Sequence, residues 1–113
     1  MKIEDLDNYV LKITEKYMRY YYSAEAQILK NETTEYEISK GLQIFTSVSP
    51  ITIQDYFSYG DEIYGIYVKY IDEDCYDKTV EINFDSPVTI KLITGNDDIS
   101  RVSICTLEIV EKK

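Results

Sequence analysis

Between residues 64 and 92 apolar side chains recur at every second position: Tyr64, Ile66, Val68 and Tyr70, then Val80, Ile82 and Phe84, then Val88, Ile90 and Leu92. The intervening positions carry Tyr67, Lys69, Thr79, Glu81, Asn83, Thr89 and Lys91. A helix turns 100° per residue and would scatter such a pattern around its circumference, whereas a strand sends successive side chains to opposite faces. One dry and one wet face is the signature of antiparallel strands. The runs are separated by DEDCYDK, DSP and TGNDD, which read as turns, the last with Gly95 and Asn96 able to take positive φ. Residues 62–71 are therefore expected as a strand and 72–78 as its turn. In the last run Val102 and Ile104 are followed by Leu107 and Ile109, so the apolar parity changes. A β-bulge at Cys105 or Thr106 would keep all four inward.

The N-terminal third shows a different spacing. Ile3, Leu6, Val10, Ile13, Tyr17, Tyr20 and Ala24 fall at steps of three and four, which predicts an amphipathic helix. Asp5 and Asp7 lie near its start, Lys12, Lys16, Arg19 and Lys30 come later, and Glu15 with Arg19 forms an i,i+4 pair. Asn31 is a candidate left-handed cap at its end. A straight helix from Ile3 to Lys30 would be about 42 Å long, too long for a compact domain with a radius of gyration of about 13 Å. It is expected to break near residues 21–23 or to protrude. The segment SPITIQDYFSYG reads two ways: a short helix capped by Ser49 with Pro50 at its first turn, or a strand through Ile51 and Ile53. The expected fold is a single α+β domain over residues 1–113, an N-terminal amphipathic helix packed on a meandering antiparallel sheet.

The chain has 21 acidic and 12 basic residues, a net charge of −9, and no histidine. That balance disfavours binding to nucleic acid or anionic membranes and favours cations or basic protein surfaces. Without histidine there is no Ser-His-Asp triad, Cys-His pair or imidazole ligand. Cys75 and Cys105 are too few and too widely spaced for a CxxC zinc site, so both are read as reduced thiols that stability does not require. No run approaches the roughly 18 apolar residues of a membrane span. The first residues, MKIEDLDNYV, carry acids where a secretory signal has a basic end, so a cytoplasmic location is expected. No cofactor, metal or catalytic residue is expected, and no enzyme activity.

The acidic residues are concentrated. Residues 61–98 hold ten carboxylates against three lysines, a local balance of −7. The turn DEDCYDK lacks the glycine and alternate oxygen ligands of a calcium loop. In a meander the turns at 72–78 and 95–98 can share one end of the sheet. Asp72, Glu73, Asp74 and Asp77, with Asp97 and Asp98, would then form a negative rim beside Tyr67 and Tyr76. Carboxylates spaced along a surface can stand in for phosphates, and tyrosine gives contact area at low entropic cost. The expected function is a small acidic, non-enzymatic inhibitor that occupies a basic, nucleic-acid-binding surface of a partner enzyme such as a nuclease, acting as monomer or weak dimer. Anti-CRISPR and anti-restriction proteins and DNA mimics of phages and mobile elements are similar in size, charge and lack of catalytic motifs. An immunity protein that neutralises a toxin, and an assembly subunit using the long helix, are the alternatives. The same rim would otherwise serve only to keep strand edges apart in solution.

Overall fold

The structure, a computed structural model, describes residues 2–21, 27–72, 74–84, 86–95 and 99–112. Eight strands follow a short 3-10 helix at Ile3–Asn8: β1 (Tyr9–Tyr21), β2 (Gln27–Glu37), β3 (Gln43–Phe45), β4 (Pro50–Tyr59), β5 (Glu62–Ile71), β6 (Asp77–Asn83), β7 (Val88–Gly95) and β8 (Ile99–Glu111). They form two antiparallel four-stranded sheets, ordered β2-β1-β8-β7 and β3-β4-β5-β6. The meander β3–β6 is thus inserted between two hairpins, and the first and last strands meet in the middle of the first sheet. They pair without interruption over 13 positions, from Tyr9↔Glu111 to Tyr21↔Ile99.

The inner faces of the sheets share one core. Leu11 and Ile13 of β1, Ile90 and Leu92 of β7, and Cys105, Leu107 and Ile109 of β8 pack in one cluster with Ile44, Ile51, Ile53, Ile66, Val68 and Ile82 of the second sheet. Neither sheet can bury its apolar face alone, and stacking the two removes both faces from water. The alternations read from Ile66, Val68, Ile82, Ile90 and Leu92 hold, and residues 62–71 form the strand expected there. SPITIQDYFSYG takes its strand reading as β4, with Pro50 at the first position, where a missing N–H costs least.

The N-terminal amphipathic helix does not exist, and the fold is not α+β. Among the described residues the helical segment is the 3-10 turn Ile3–Asn8, and residues 9–21 and 27–30 of the expected helix are strand, in β1 and β2; residues 22 and 23 of the expected break lie outside the described residues. Two physical reasons decide this. Tyr9, Val10, Ile13, Thr14, Tyr17, Tyr20 and Tyr21 are aromatic or β-branched, types that suit a pleated surface and lose rotamer freedom in a helix. The same segment also carries a period-2 pattern, Leu11 and Ile13, which faces the core, while β8 supplies a partner along its whole length. The i,i+4 pair expected of Glu15 and Arg19 is lost with the helix, because the two point along a strand, and Glu15 is buried. Asn31, read as a cap, lies in the middle of β2.

The bulge expected at Cys105 or Thr106 is also absent. β8 keeps continuous register with both β1 and β7. Its core face is Ser103, Cys105, Leu107 and Ile109, all buried, and Val102 and Ile104 lie on the opposite face. The apparent change of parity arose from reading only aliphatic residues as inward. Bulges occur instead in β4–β5, at Gln54 and Tyr64, and in β1–β2, at Leu29.

Gly65 stands opposite Phe57 on β4 and Asn83 on β6. A Cβ at this position would collide with the carbonyl oxygen of Ile82, so β6 can approach β5 only because residue 65 has no side chain. Gly65→Ala is expected to destabilise the domain by about 1–3 kcal/mol, the usual cost of overpacking. Urea unfolding should show a lower midpoint at an unchanged slope.

Candidate functional site

Of the expected site residues, Tyr67 and Asp77 lie on the outer face of the second sheet, and Asp72, Asp74 and Tyr76 in the turn at its end. Strand register sets Asp55 of β4, Tyr67 of β5 and Glu81 of β6 side by side, a tyrosine between two carboxylates. One step along, Phe57 stands over Gly65 and makes an edge-on contact with Tyr67, ring centroids 5.6 Å apart. Its ring also meets Tyr64, the bulged residue, at 5.8 Å. Tyr64 is 47% exposed. The backbone N–H of Tyr56 donates to Asp55 Oδ1 at 2.8 Å, and this bond, with Lys40 3.4 Å away, holds the Asp55 carboxyl below the usual aspartate range. Lys69, Thr79 and Gln54 continue the same face, with Thr79 donating to Gln54 Oε1 at 3.3 Å.

The acidic turn joins β5 to β6 at the end of this sheet, and its carboxylates have unequal roles. Asp72 Oδ1 accepts the backbone N–H groups of Asp74 and Tyr76 at 3.0 and 2.9 Å, and its other oxygen lies 3.7 Å from Lys78 Nζ. Asp72 therefore builds the turn and its side chain is largely covered. Cys75 takes φ +65, a left-handed conformation that costs a non-glycine residue about 1 kcal/mol or more, and the Asp72 bonds hold it there. Asp77 is bridged to Lys69 at 3.3 Å. Asp74 and Tyr76 are exposed, Tyr76 by 69%. The turn is thus less negative than its composition suggests. Glu73, Asp97 and Asp98 lie outside the described residues. Asp55, Phe57 and Glu81 escaped the sequence reading as a group, since only the register across β4, β5 and β6 makes them neighbours.

A second polar cluster lies inside the sandwich. Glu15 faces the core from β1 and is buried. Ser103 Oγ of β8 donates to its Oε2 at 2.6 Å, and the backbone N–H of Ser47 donates to the same oxygen at 2.8 Å. Ser47 Oγ donates to Oε1 at 3.3 Å, and Lys30 Nζ of β2 lies 3.4 Å from Oε1. Ser47 belongs to the β3–β4 loop, which Thr46 stiffens by donating to the Ser49 carbonyl at 2.7 Å and accepting the N–H groups of Val48 and Ser49. One carboxylate therefore ties three strands of the first sheet to a loop of the second. Burial by itself pushes its pKa up. The Ser103 hydroxyl, the Ser47 amide and Lys30 together outweigh burial and hold the group below the usual glutamate range. Cys105 lies directly opposite Glu15 in the register, and burial with that nearby negative charge pushes its thiol up to about 12. Cys105, expected to be dispensable for stability, is fully buried in the core.

Two open cavities of about 350 Å³ flank the 3-10 helix, one lined by Lys2, Glu4, Tyr56, Ser58, Gly60, Asp61 and Ile63, the other by Leu6, Asp7, Tyr9, Glu37, Ile38, Ser39 and Lys112. Among the described residues no three Cys, Asp or Glu side chains gather as a metal-binding group, and no helix is long and apolar enough to cross a membrane. Comparison with protein-family models, with curated proteins and with solved structures finds no match.

The Glu15 cluster makes acid sensitivity a testable property. A carboxyl whose folded-state pKa lies below its unfolded value of about 4.3 stabilises the fold fully above that pH, and the contribution fades as pH falls through the folded value. Glu15→Gln is expected to lower stability at pH 7 by about 1–3 kcal/mol, the cost of weakened buried hydrogen bonds. It should also flatten the loss of stability between pH 5 and 3, as read by urea midpoints across that range. The cysteines should separate by reactivity: a native thiol assay should titrate Cys75 alone, with Cys105 reacting only after unfolding.

Proposed function

We propose that this protein is a small acidic binding protein that uses the outer face of its second sheet to occupy a basic, nucleic-acid-binding surface of a partner protein. The observation that carries this reading is the Phe57–Tyr64–Tyr67 ring cluster, in which Tyr64 is exposed and Tyr67 stands between Asp55 and Glu81, on a face that runs on through Lys69 and Thr79 to Asp77 and the acidic turn. Clustered aromatic residues supply the anchors of protein interfaces, and charge around them steers and orients a partner of opposite sign. Asp55 of β4 and Glu81 of β6 stand two strands apart on a rigid sheet, about 9.6 Å at a strand spacing of about 4.8 Å, so each can engage a separate cationic side chain across Tyr67. The overall charge of −9 disfavours a nucleic acid as the direct ligand of this face and favours a protein that itself binds one. The same chemistry serves a nuclease inhibitor and an immunity protein equally, since both would cover a basic active surface.

The test begins with capture from the lysate of host cells and identification of a basic partner. Its binding must compete with the partner's own nucleic acid. Asp74→Lys/Asp77→Lys/Glu81→Lys should lower affinity about tenfold or more, and the parent's affinity should fall as salt shortens the Debye length below about 8 Å. Asp72 is left intact because the turn depends on it. Equal binding by parent and triple variant at low and high salt would overturn the proposal, as would a partner that binds together with its nucleic acid.

A further inference from the structure

β2 ends the first sheet, and no described residue pairs with its outer side. Nine of its eleven residues are exposed. Free edges of this length are normally shortened, covered or blocked by charge, because their N–H and C=O groups template another strand. The charges on β2 are not arranged as a block. We propose that the partner of this edge is a second copy of the chain, joined antiparallel along β2 about a two-fold axis at Thr33, so that two sheets become one sheet of eight strands.

The pattern of side chains carries this assignment. Sheet continuity requires that paired residues share a face, so only registers linking odd with odd and even with even positions are open. With Thr33 on the axis, Glu32 stands opposite Thr34, Asn31 opposite Glu35 and Lys30 opposite Tyr36, with no two like charges directly paired. Centring the pairing on Glu32 or Glu35 would set two carboxylates face to face, which is destabilising. The register also meets a feature already built across the sheet. Thr33, Thr14, Thr106 and Thr89 form one row over all four strands, with Oγ1 atoms 3.1 Å apart between Thr14 and Thr33 and 3.3 Å apart between Thr89 and Thr106. Threonine pairs suit adjacent strands, and the two-fold axis extends this row from four residues to eight. The small cleft beside β2 is lined by Glu32, Thr34 and Tyr36 together with Phe45 of β3, which places exposed Phe45 (74%) at the same side of the sandwich. The bulge at Leu29 ends the regular edge at Lys30, which confines the pairing to the following segment and the assembly to two copies.

Each copy carries −9, so their repulsion opposes association and screening favours it. Self-association should therefore strengthen with salt, the opposite sign to partner binding by the acidic face, on which it does not depend. Analytical ultracentrifugation of the full chain from micromolar to millimolar concentration, at low and high salt, should show a monomer–dimer equilibrium that salt shifts toward dimer. Asn31→Glu places a carboxylate opposite Glu35 twice across the axis and should raise the dissociation constant about tenfold. The monomer should tolerate it, because position 31 is exposed and faces Lys16 on β1. Adding Glu35→Gln should restore the parent equilibrium. As a readout that needs no variant, β2 amide hydrogens should exchange more slowly as concentration rises. A chain that stays monomeric at millimolar concentration in high salt, an open-ended series of oligomers, a dimer indifferent to Asn31→Glu, or rescue by Glu37→Gln in place of Glu35→Gln would each overturn the proposal.

Discussion

The pairing of β1 with β8 is the constraint on which the rest of the molecule depends. It joins positions about ninety residues apart in unbroken register and puts both ends of the chain in the centre of a sheet. The inserted meander β3–β6 is then held at both ends, since the strands entering and leaving it, β2 and β7, are neighbours of β1 and β8. The pairing also decides the core. Leu11, Ile13, Leu107 and Ile109 face the second sheet because the register aligns their parity. A fold closed by contacts this distant in sequence has a high contact order, and folding must overcome a large loop-closure entropy before the contacts form.

Glu15 marks that register in the interior. It stands opposite Cys105 and reaches Ser103 diagonally, so the short hydrogen bond between them exists only in this alignment of β1 and β8. A shift of one residue would turn Glu15 outward and leave Ser103 and the Ser47 amide without their acceptor. Burying a carboxylate is costly, and this one is offset by two serine hydroxyls, a backbone amide and a lysine at the sheet edge. The contribution of such a cluster lies in specifying one strand alignment as much as in stability. It also bonds the β3–β4 loop through Ser47 and meets the edge strand β2 through Lys30.

The two candidate interaction surfaces follow from the two sheets and differ in chemistry. The second sheet presents aromatic rings and carboxylates on its outer face, positioned by the bulges at Gln54 and Tyr64 and by Gly65, which lets β6 close in. The first sheet presents the outer edge of β2, where Lys30, Glu32, Glu35 and Glu37 are interspersed with Asn31, Thr33, Thr34 and Tyr36. Bulges bound both surfaces. On β5 the bulge turns Tyr64 toward Phe57, and on β2 it ends the straight run of strand.

What the sequence determined on its own is the strand character of the second half, although its strands divide between two sheets rather than forming one meander. Period-2 patterns in β5, β6 and β7 have one physical reading, because no helix keeps every second residue on one side. The wet face with Tyr67, Lys69, Thr79 and Glu81 was legible for the same reason, as was an acidic turn after residue 71. The first third was not legible. Its apolar residues satisfy a helical and a strand period together, and the choice fell to a partner strand at the far end of the chain, which no local pattern records. The polar core residues were hidden likewise: Ser103 and Glu15 count as surface residues until the strands that join them are aligned. Asp72 looked like one of several equal carboxylates, and only the tertiary path of the turn made it an acceptor for two amides while Glu81 and Asp55 came to flank Tyr67. Side-chain alternation is a property of one strand and can be read from one strand. Register, neighbours across strands and the burial of a charge are properties of pairs of strands, and the folded structure alone decides them.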